Sequence, residues 1–220
     1  MGDSGHVKNR PDQVDPLAAI ARYRVVPIVE VPSVDAAERL GDALIEGGLP
    51  IVEITLRTPV ALDAIERLAA RQPELLVGAG TVLTTDQARR AVDVGARFLI
   101  APGLNLAVTR HAATLGVPMI PGVATPTEIE AALAEGLTTL KLFPVGALGG
   151  LAYLTAISAP YAGVRFVPTG GVGPDTMADY LALPTVLAVG GTWIARSSAL
   201  ADGDFDGIRQ RIAEAVRLAT

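Results

Sequence analysis

The chain has 220 residues, of which 50% are hydrophobic and 19% charged, and its formal net charge is −5. This balance predicts one domain over residues 1–220 with a large buried core and excludes intrinsic disorder, while the acidic charge argues against a nucleic-acid partner. Cysteine is absent and histidine occurs only as His6 and His111, so neither a thiol nucleophile nor a poly-histidine metal site is expected.

Residues 1–16 form a polar lead-in without the apolar stretch of a secretory signal. No uninterrupted apolar run reaches the roughly 18 residues that a membrane-spanning helix requires. We therefore expect a cytoplasmic protein that has no membrane partner. An extra helix is predicted from Pro16 to Tyr23, ahead of the first strand.

From residue 20 onward, short apolar, β-branched runs alternate with alanine-rich stretches of helical spacing. The predicted strands begin near Val25, Ile51, Leu76, Phe98, Val117, Leu140, Phe166 and Val186. Two of the intervening helices show an apolar stripe, at Val34, Ala37, Leu40 and Leu44 and at Ala61, Ile65 and Leu68. A closing helix is predicted from Asp206 to Leu218.

Three of the predicted helices begin with a residue type that caps helices. Two starts have the spacing of a capping box, Thr84 with Gln87 and Thr125 with Glu128. The third is Thr58, which precedes a proline that suits the first helical position.

Eight strand-then-helix units of about 20–27 residues indicate one repeating architecture. The strand runs are apolar on both faces, as in a parallel sheet that is covered on both sides. Eight units predict an α/β fold, the (β/α)8 TIM barrel with a short N-terminal extension or helix. The alternative is an open doubly wound sheet, but no GxGxxG segment follows the first strand.

Lys141 stands alone in the apolar strand TTLKLFPV, between Leu140 and Leu142. The chain has 18 basic residues, and the other lysine lies in the polar lead-in. Such a lysine either extends to the surface or pairs with a buried acid, or it is a desolvated amine that attacks a carbonyl to form a Schiff base. We favour the Schiff base, because fully buried lysines are rare.

Glu53, Thr55 and Arg57 alternate along the segment PIVEITLRTP and so share one face. The other face must be apolar to meet the helices, so the polar face points to the barrel interior. One hypothesis is a structural ion pair between Glu53 and Arg57. We favour a proton-transferring carboxylate and a clamp for an anionic substrate group.

Glycine pairs follow the last two predicted strands, in the segments PTGGV (168–172) and GGT (190–192). Loops after strands 7 and 8 of a barrel commonly bind phosphate through backbone N–H groups. We therefore predict a phosphate cradle here. The segments GAGT (78–81) and APG (101–103) follow the third and fourth strands, and so they border the same end of the barrel, its mouth. Glu30 either joins the site or lies on its rim.

The chain resembles the KDPG/KHG aldolases, class I aldolases that act on 2-keto-3-deoxy-6-phosphogluconate (KDPG) in the Entner–Doudoroff pathway and on 4-hydroxy-2-oxoglutarate (KHG). The resemblance extends from Val25 to the C-terminus. It rests on VEITLRT (52–58), VGAGTVL (77–83), APGLN (101–105), IPGVATPTE (120–128), LKLFP (140–144), FVPTGGV (166–172) and VGGTWI (189–194).

The resemblance implies a role for each matching residue. Lys141 corresponds to the Schiff-base lysine and Glu53 to the general acid and base. The substrate-binding positions are Arg57 and Thr81 for the carboxylate, Pro102 and Phe143 for the keto-acid pocket, Thr169 for the sugar hydroxyls, and Gly170, Gly171, Gly191 and Thr192 for the phosphate. No metal or organic cofactor is implied, and the family usually forms a homotrimer.

Three positions depart from the family's pattern. Thr192 stands where members often have serine, and the hydroxyl is retained. Residues 145–148, VGAL, replace a more polar loop that borders the active site. Glu30 occupies a strand end where relatives carry an apolar residue or arginine.

The implied reaction is cleavage of KDPG to pyruvate and glyceraldehyde 3-phosphate, with 4-hydroxy-2-oxoglutarate as a further substrate. Three alternatives remain open from the residues alone. One is an aldolase for the phosphogalactonate epimer, and the second is a phosphosugar isomerase or epimerase barrel that forms no imine. The third is a phosphosugar-binding barrel without turnover.

Overall fold

Helices and strands alternate from Pro16 to Ala219 in the computed structural model, which describes residues 15–220. The strands are β1 (Val25–Val29), β2 (Ile51–Thr55), β3 (Leu76–Gly80), β4 (Leu99–Ile100), β5 (Met119–Ile120), β6 (Gly122–Val123), β7 (Thr139–Leu142), β8 (Arg165–Pro168) and β9 (Val189–Gly191). The helices are α1 (Pro16–Tyr23), α2 (Val34–Glu46), α3 (Ala61–Arg71), α4 (Thr85–Asp93), α5 (Leu106–Thr114), α6 (Pro126–Ala134), α7 (Gly150–Ser158), α8 (Pro174–Leu181), α9 (Ser197–Ala201) and α10 (Phe205–Ala219).

The strands pair in parallel and form two arcs of one ring. One arc has the order β5-β4-β3-β2-β1-β9, and the other has the order β6-β7-β8. Two parallel bridges join the arcs where β8 meets β9. They link Phe166 to Val186, just before β9, and Thr169, just after β8, to Gly190. The ring therefore has eight strand positions, and the predicted (β/α)8 barrel is confirmed.

Pro121 divides one strand position into β5 and β6. The upstream half pairs with β4, from Leu99 to Met119, and the downstream half pairs with β7, from Gly122 to Lys141. Proline has no N–H to donate to a ladder, but the Pro121 carbonyl still accepts the Lys141 N–H at 2.9 Å. This strand position thus pairs with β4 before Pro121 and with β7 after it.

The core lies inside the ring and between the ring and its helices. All residues of β1, β2 and β3 are buried, which agrees with the apolar pattern expected of a two-sided parallel sheet. The predicted helical stripes face this core, since Leu40 and Leu44 of α2 and Ile65 and Leu68 of α3 are buried.

Most predicted boundaries are confirmed to within a few residues. The helix from Pro16 to Tyr23 is present, and Asp15 caps it by accepting the Leu17 N–H. The predicted last strand begins at Val189 rather than Val186, because Val186 makes only an isolated bridge. Residues 1–14 of the predicted polar lead-in lie outside the described residues.

Both predicted capping boxes are present, at Thr84 with Gln87 and at Thr125 with Glu128. The predicted cap at Thr58 is wrong. Helix α3 begins at Ala61, and its Val60 N-cap has no side-chain hydrogen bond. The Thr58 carbonyl, not its hydroxyl, accepts the Ala61 N–H at 3.3 Å, so this segment makes a turn before the helix.

Replacing Gly122 by alanine is expected to destabilise the barrel. A Cβ at this position would overlap the backbone carbonyl of Pro102, and overpacking against backbone typically costs about 1–3 kcal/mol. Urea denaturation measures the change in the free energy of unfolding. Gly163→Ala is the matched control, because an added Cβ there meets open space. Equal stability of the two variants would contradict the prediction.

Candidate active site

Lys141 and Glu53 face each other inside the barrel. Lys141 Nζ lies 3.7 Å from Glu53 Oε1, and their side chains are 8% and 1% exposed. Glu53 belongs to β2 and Lys141 to β7, so the pair spans the ring from one arc to the other. The sequence predicted both residues to face the interior, and the structure brings them together.

The Glu53 carboxyl is poised to exchange a proton. Burial raises its pKa from the ordinary value of 4.5, although the nearby Lys141 ammonium opposes the shift. Its Oε1 is buried and has no hydrogen-bond partner within the described residues. A buried carboxyl with a raised pKa, set close to a buried amine, suits general acid and base catalysis.

Small and aromatic neighbours fix the positions of these two side chains. A Cβ at Gly80 would overlap the Glu53 carboxylate, so glycine leaves the space that this side chain fills. The Phe143 ring centroid lies 5.3 Å from Lys141 Nζ, within the range of a cation–π contact. The sequence placed Gly80 at the mouth but gave no signal of its contact with Glu53.

Arg57 lies at the rim rather than inside the barrel, because β2 ends at Thr55. Its Nη1 is 3.1 Å from Glu30 Oε2, and the two side chains are 63% and 36% exposed. The ion pair between Glu53 and Arg57 that the sequence allowed is not the one that forms, since Glu53 faces Lys141 and Arg57 faces Glu30. Glu30 thus lies on the rim and also contacts a predicted site residue.

Thr81 and Pro102 follow the ends of β3 and β4 at the same edge of the barrel. Thr81 has a φ of 56°. This left-handed conformation is uncommon for a β-branched residue and is typical of functional sites when it occurs. Thr81 is half-buried and directly follows Gly80, the glycine that leaves room for the Glu53 carboxylate.

The loop after β8 is built around two glycines of left-handed conformation. Gly170 and Gly171 have φ angles of 82° and 97°, which glycine adopts without steric penalty. The Val145 and Gly146 N–H groups donate to the carbonyls of Thr169 and Gly170 at 2.9 and 2.8 Å. The segment after Lys141 therefore fixes the backbone of the predicted phosphate cradle.

The second part of the predicted cradle follows β9. Gly191 ends the strand, and Thr192 is exposed directly after it. The two loops adjoin, because Thr169 and Gly190 form a parallel bridge. Helix α8 begins at Pro174, just beyond Gly171, and its N-terminus brings a partial positive charge to the same edge.

Metal-ligating side chains are not clustered in the part of the chain that the structure covers. Among residues 15–220, no three His, Cys, Asp or Glu side chains are grouped to hold a metal ion. Over the same residues, no helix has the length and apolar character needed to cross a membrane.

Comparison with known proteins adds family evidence to this geometry. The family model for KDPG and KHG aldolases matches residues 18–211. A 2-dehydro-3-deoxy-phosphogluconate aldolase of Treponema pallidum (strain Nichols) is 46% identical over 190 residues, which are 86% of this chain and 90% of the relative. The KHG/KDPG aldolase of Escherichia coli (strain K12) is 43% identical over 192 residues, 87% of this chain and 90% of the relative.

A solved structure supports the same comparison. The KDPG aldolase of Legionella pneumophila, crystallised with pyruvate as a covalent carbinolamine intermediate, is 38% identical to this chain. It superposes with a TM-score of 0.87 over 91% of this chain and 97% of its own.

The raised pKa of Glu53 predicts a pH-dependent stability difference between the wild type and Glu53→Gln. Between the ordinary pKa of 4.5 and the raised value, the folded protein binds this proton more tightly than the unfolded chain. The free energy of unfolding of the wild type should therefore fall, relative to the variant, as pH rises through this window. Urea denaturation over a pH series measures the free energy of unfolding of both proteins. If the wild-type value minus the variant value stays constant or rises with pH, the prediction is refuted.

Proposed function

The chain belongs to the KDPG and KHG aldolase family, and from this premise we propose that it is a class I aldolase whose Schiff base forms on Lys141. It cleaves KDPG to pyruvate and glyceraldehyde 3-phosphate, and it cleaves 4-hydroxy-2-oxoglutarate to pyruvate and glyoxylate. The observation that carries this proposal is the buried Lys141 amine 3.7 Å from the Glu53 carboxyl.

The pair of side chains accounts for each proton transfer of the reaction. Lys141 attacks the C2 ketone, and Glu53 takes the proton from the amine and returns one to the departing water as the imine forms. The protonated imine then withdraws electrons while Glu53, directly or through water, accepts the C4 hydroxyl proton. The C3–C4 bond breaks, and its electrons remain in the enamine.

The second half of the reaction regenerates the lysine. The aldehyde leaves as glyceraldehyde 3-phosphate, or as glyoxylate from the shorter substrate. The enamine is protonated at C3 and the resulting imine is hydrolysed, which releases pyruvate and the free Lys141 amine. The raised pKa of Glu53 lets this one carboxyl serve as acid and base in turn.

Groups at the rim bind the keto-acid end of the substrate. Arg57 presents an exposed guanidinium that is able to bind a carboxylate, and Thr81 follows the end of β3 at the same edge of the barrel. Phe143 and Pro102 line the pocket around the keto carbon. The closeness of Phe143 to Lys141 Nζ supports this role.

The adjoining glycine loops bind the phosphate. Gly170 and Gly171 allow an anion to approach the backbone closely, and Gly191 and Thr192 face it from the next strand position. Thr169 lies between the two loops, which its bridge to Gly190 joins, and this position next to the phosphate loops is the basis for assigning it to the sugar hydroxyls.

The alternatives are less well supported. The Treponema pallidum relative, 46% identical over 190 residues, is an aldolase of the phosphogluconate substrate, not of its galactonate epimer. A phosphosugar isomerase or epimerase requires an acid and a base but no buried primary amine, and it leaves Lys141 without a role. A binding barrel without turnover likewise leaves the Lys141–Glu53 pair unexplained.

Pyruvate and borohydride test the Schiff base directly. Reduction should leave a stable pyruvate adduct on Lys141, identified by peptide mass spectrometry. Lys141→Arg retains the positive charge but lacks the primary amine, so it should form no adduct and lose cleavage of KDPG. A folded wild-type protein that forms no adduct in excess pyruvate would refute the aldolase assignment.

The resemblance to the family also supports a homotrimer that acts in the cytoplasm in the Entner–Doudoroff pathway. A phosphorylated sugar acid is a charged metabolite that does not cross membranes freely, which is consistent with this location. Sedimentation velocity should give the mass of three 22.7 kDa chains, about 68 kDa. A monomeric mass at micromolar concentration would contradict the assembly.

A further inference from the structure

Glu30 contacts the guanidinium that faces the mouth of the barrel. The residue lies one position beyond the end of β1, and its Oε2 is 3.1 Å from Arg57 Nη1. The contact involves one guanidinium nitrogen. Because arginine carries five N–H donors in a planar fork, the remaining donors of Arg57 are able to bind a carboxylate while Glu30 stays in place.

Glu30 lies at the rim of the barrel, directly beyond the last residue of β1. Ile28 is paired with Glu53, and it faces the interior beside Gly190. Glu30 follows two residues after Ile28 and one residue beyond the strand, where its side chain reaches Arg57 at the rim. The end of β1 is tied to β2, because the Thr55 hydroxyl donates to the Val29 carbonyl at 3.2 Å.

We infer that Glu30 is a counter-ion that limits how tightly Arg57 retains the carboxylate of a keto acid. The inference rests on the proposed function, in which Arg57 binds that carboxylate. Glu30 then lies on the same guanidinium as the bound anion and repels it. At about 5–7 Å in a partly solvated mouth, this repulsion corresponds to about a three- to tenfold loss of affinity.

The consequence falls on pyruvate, which remains on Lys141 after the aldehyde leaves. Its carboxylate is its one charged group, whereas the full substrate also binds through phosphate. Weaker binding of the carboxylate by Arg57 favours release of pyruvate. Because the contact is the same in the ground state and the transition state, Glu30 affects KM and pyruvate retention rather than the chemical step.

The experiment measures the pyruvate concentration that gives half-maximal borohydride trapping on Lys141. The wild type is compared with Glu30→Gln and Glu30→Ala. Glutamine keeps the size of the side chain and still accepts a hydrogen bond from Arg57, but it carries no charge. Both variants should bind pyruvate about three- to tenfold more tightly, with kcat for KDPG cleavage not raised.

Two controls test whether the effect acts through Arg57 and through local charge. In an Arg57→Gln background, the substitution Glu30→Gln should change pyruvate affinity by less than about twofold. Glu46→Gln removes the same charge from another ion pair, whose nitrogen and oxygen lie 3.6 Å apart at the end of α2. That variant should match the wild type. High salt should reduce the Glu30 effect.

Each contrary result has a distinct meaning. Unchanged or weaker pyruvate affinity in Glu30→Gln overturns the inference. Weaker affinity in Glu30→Ala overturns it as well, because Glu30 would then act by positioning Arg57. An effect that persists in the Arg57→Gln background overturns the inference too. A wild type without any adduct refutes the proposed function and the inference together, whereas an adduct insensitive to Glu30 refutes only the inference.

Discussion

The interior of this barrel has to accommodate a buried carboxylate, Glu53, and a buried amine, Lys141, that lie 3.7 Å apart. Neither group is stable alone in an apolar interior, because an unpaired buried charge carries a large desolvation penalty. Each therefore depends on the strand that carries the other. Gly80 and Phe143 serve this pair, the first by leaving room for the carboxylate and the second by packing near the amine.

The loops that follow β7 and β8 are held together by backbone hydrogen bonds rather than by charged side chains. Hydrogen bonding between neighbouring segments continues beyond β7 and β8, from Val145 and Gly146 to Thr169 and Gly170. This pairing explains why residues 145–148 tolerate an apolar sequence, since Val145 is buried and Gly146 packs on the next loop. The loop geometry is thus maintained by main-chain contacts that many sequences are able to make.

The sequence predicted site residues best where a charged side chain stands at a strand position that is expected to be buried. A lone lysine in an apolar strand and a glutamate on an alternating face have few structural explanations, so the approximate places of Lys141 and Glu53 were predictable. The partner of Arg57 was not, because the rotamers of an exposed side chain depend on neighbours from another strand. Thr58 was misassigned as a cap, since its sequence signal resembles that of a turn preceding a helix. The split at Pro121 required knowledge of which strands flank it.

That split places a break in the ring beside β7, the strand that carries Lys141. Glu53 belongs to the arc of six strands and Lys141 to the arc of three. The two arcs meet near Pro121 and again where β8 approaches β9, and the two opposed charges link them across the interior. The contact between Lys141 and Glu53 therefore requires both arcs, because each arc carries one of the two residues. Either arc by itself, with all of its strands paired, leaves one of the two buried charges without its partner.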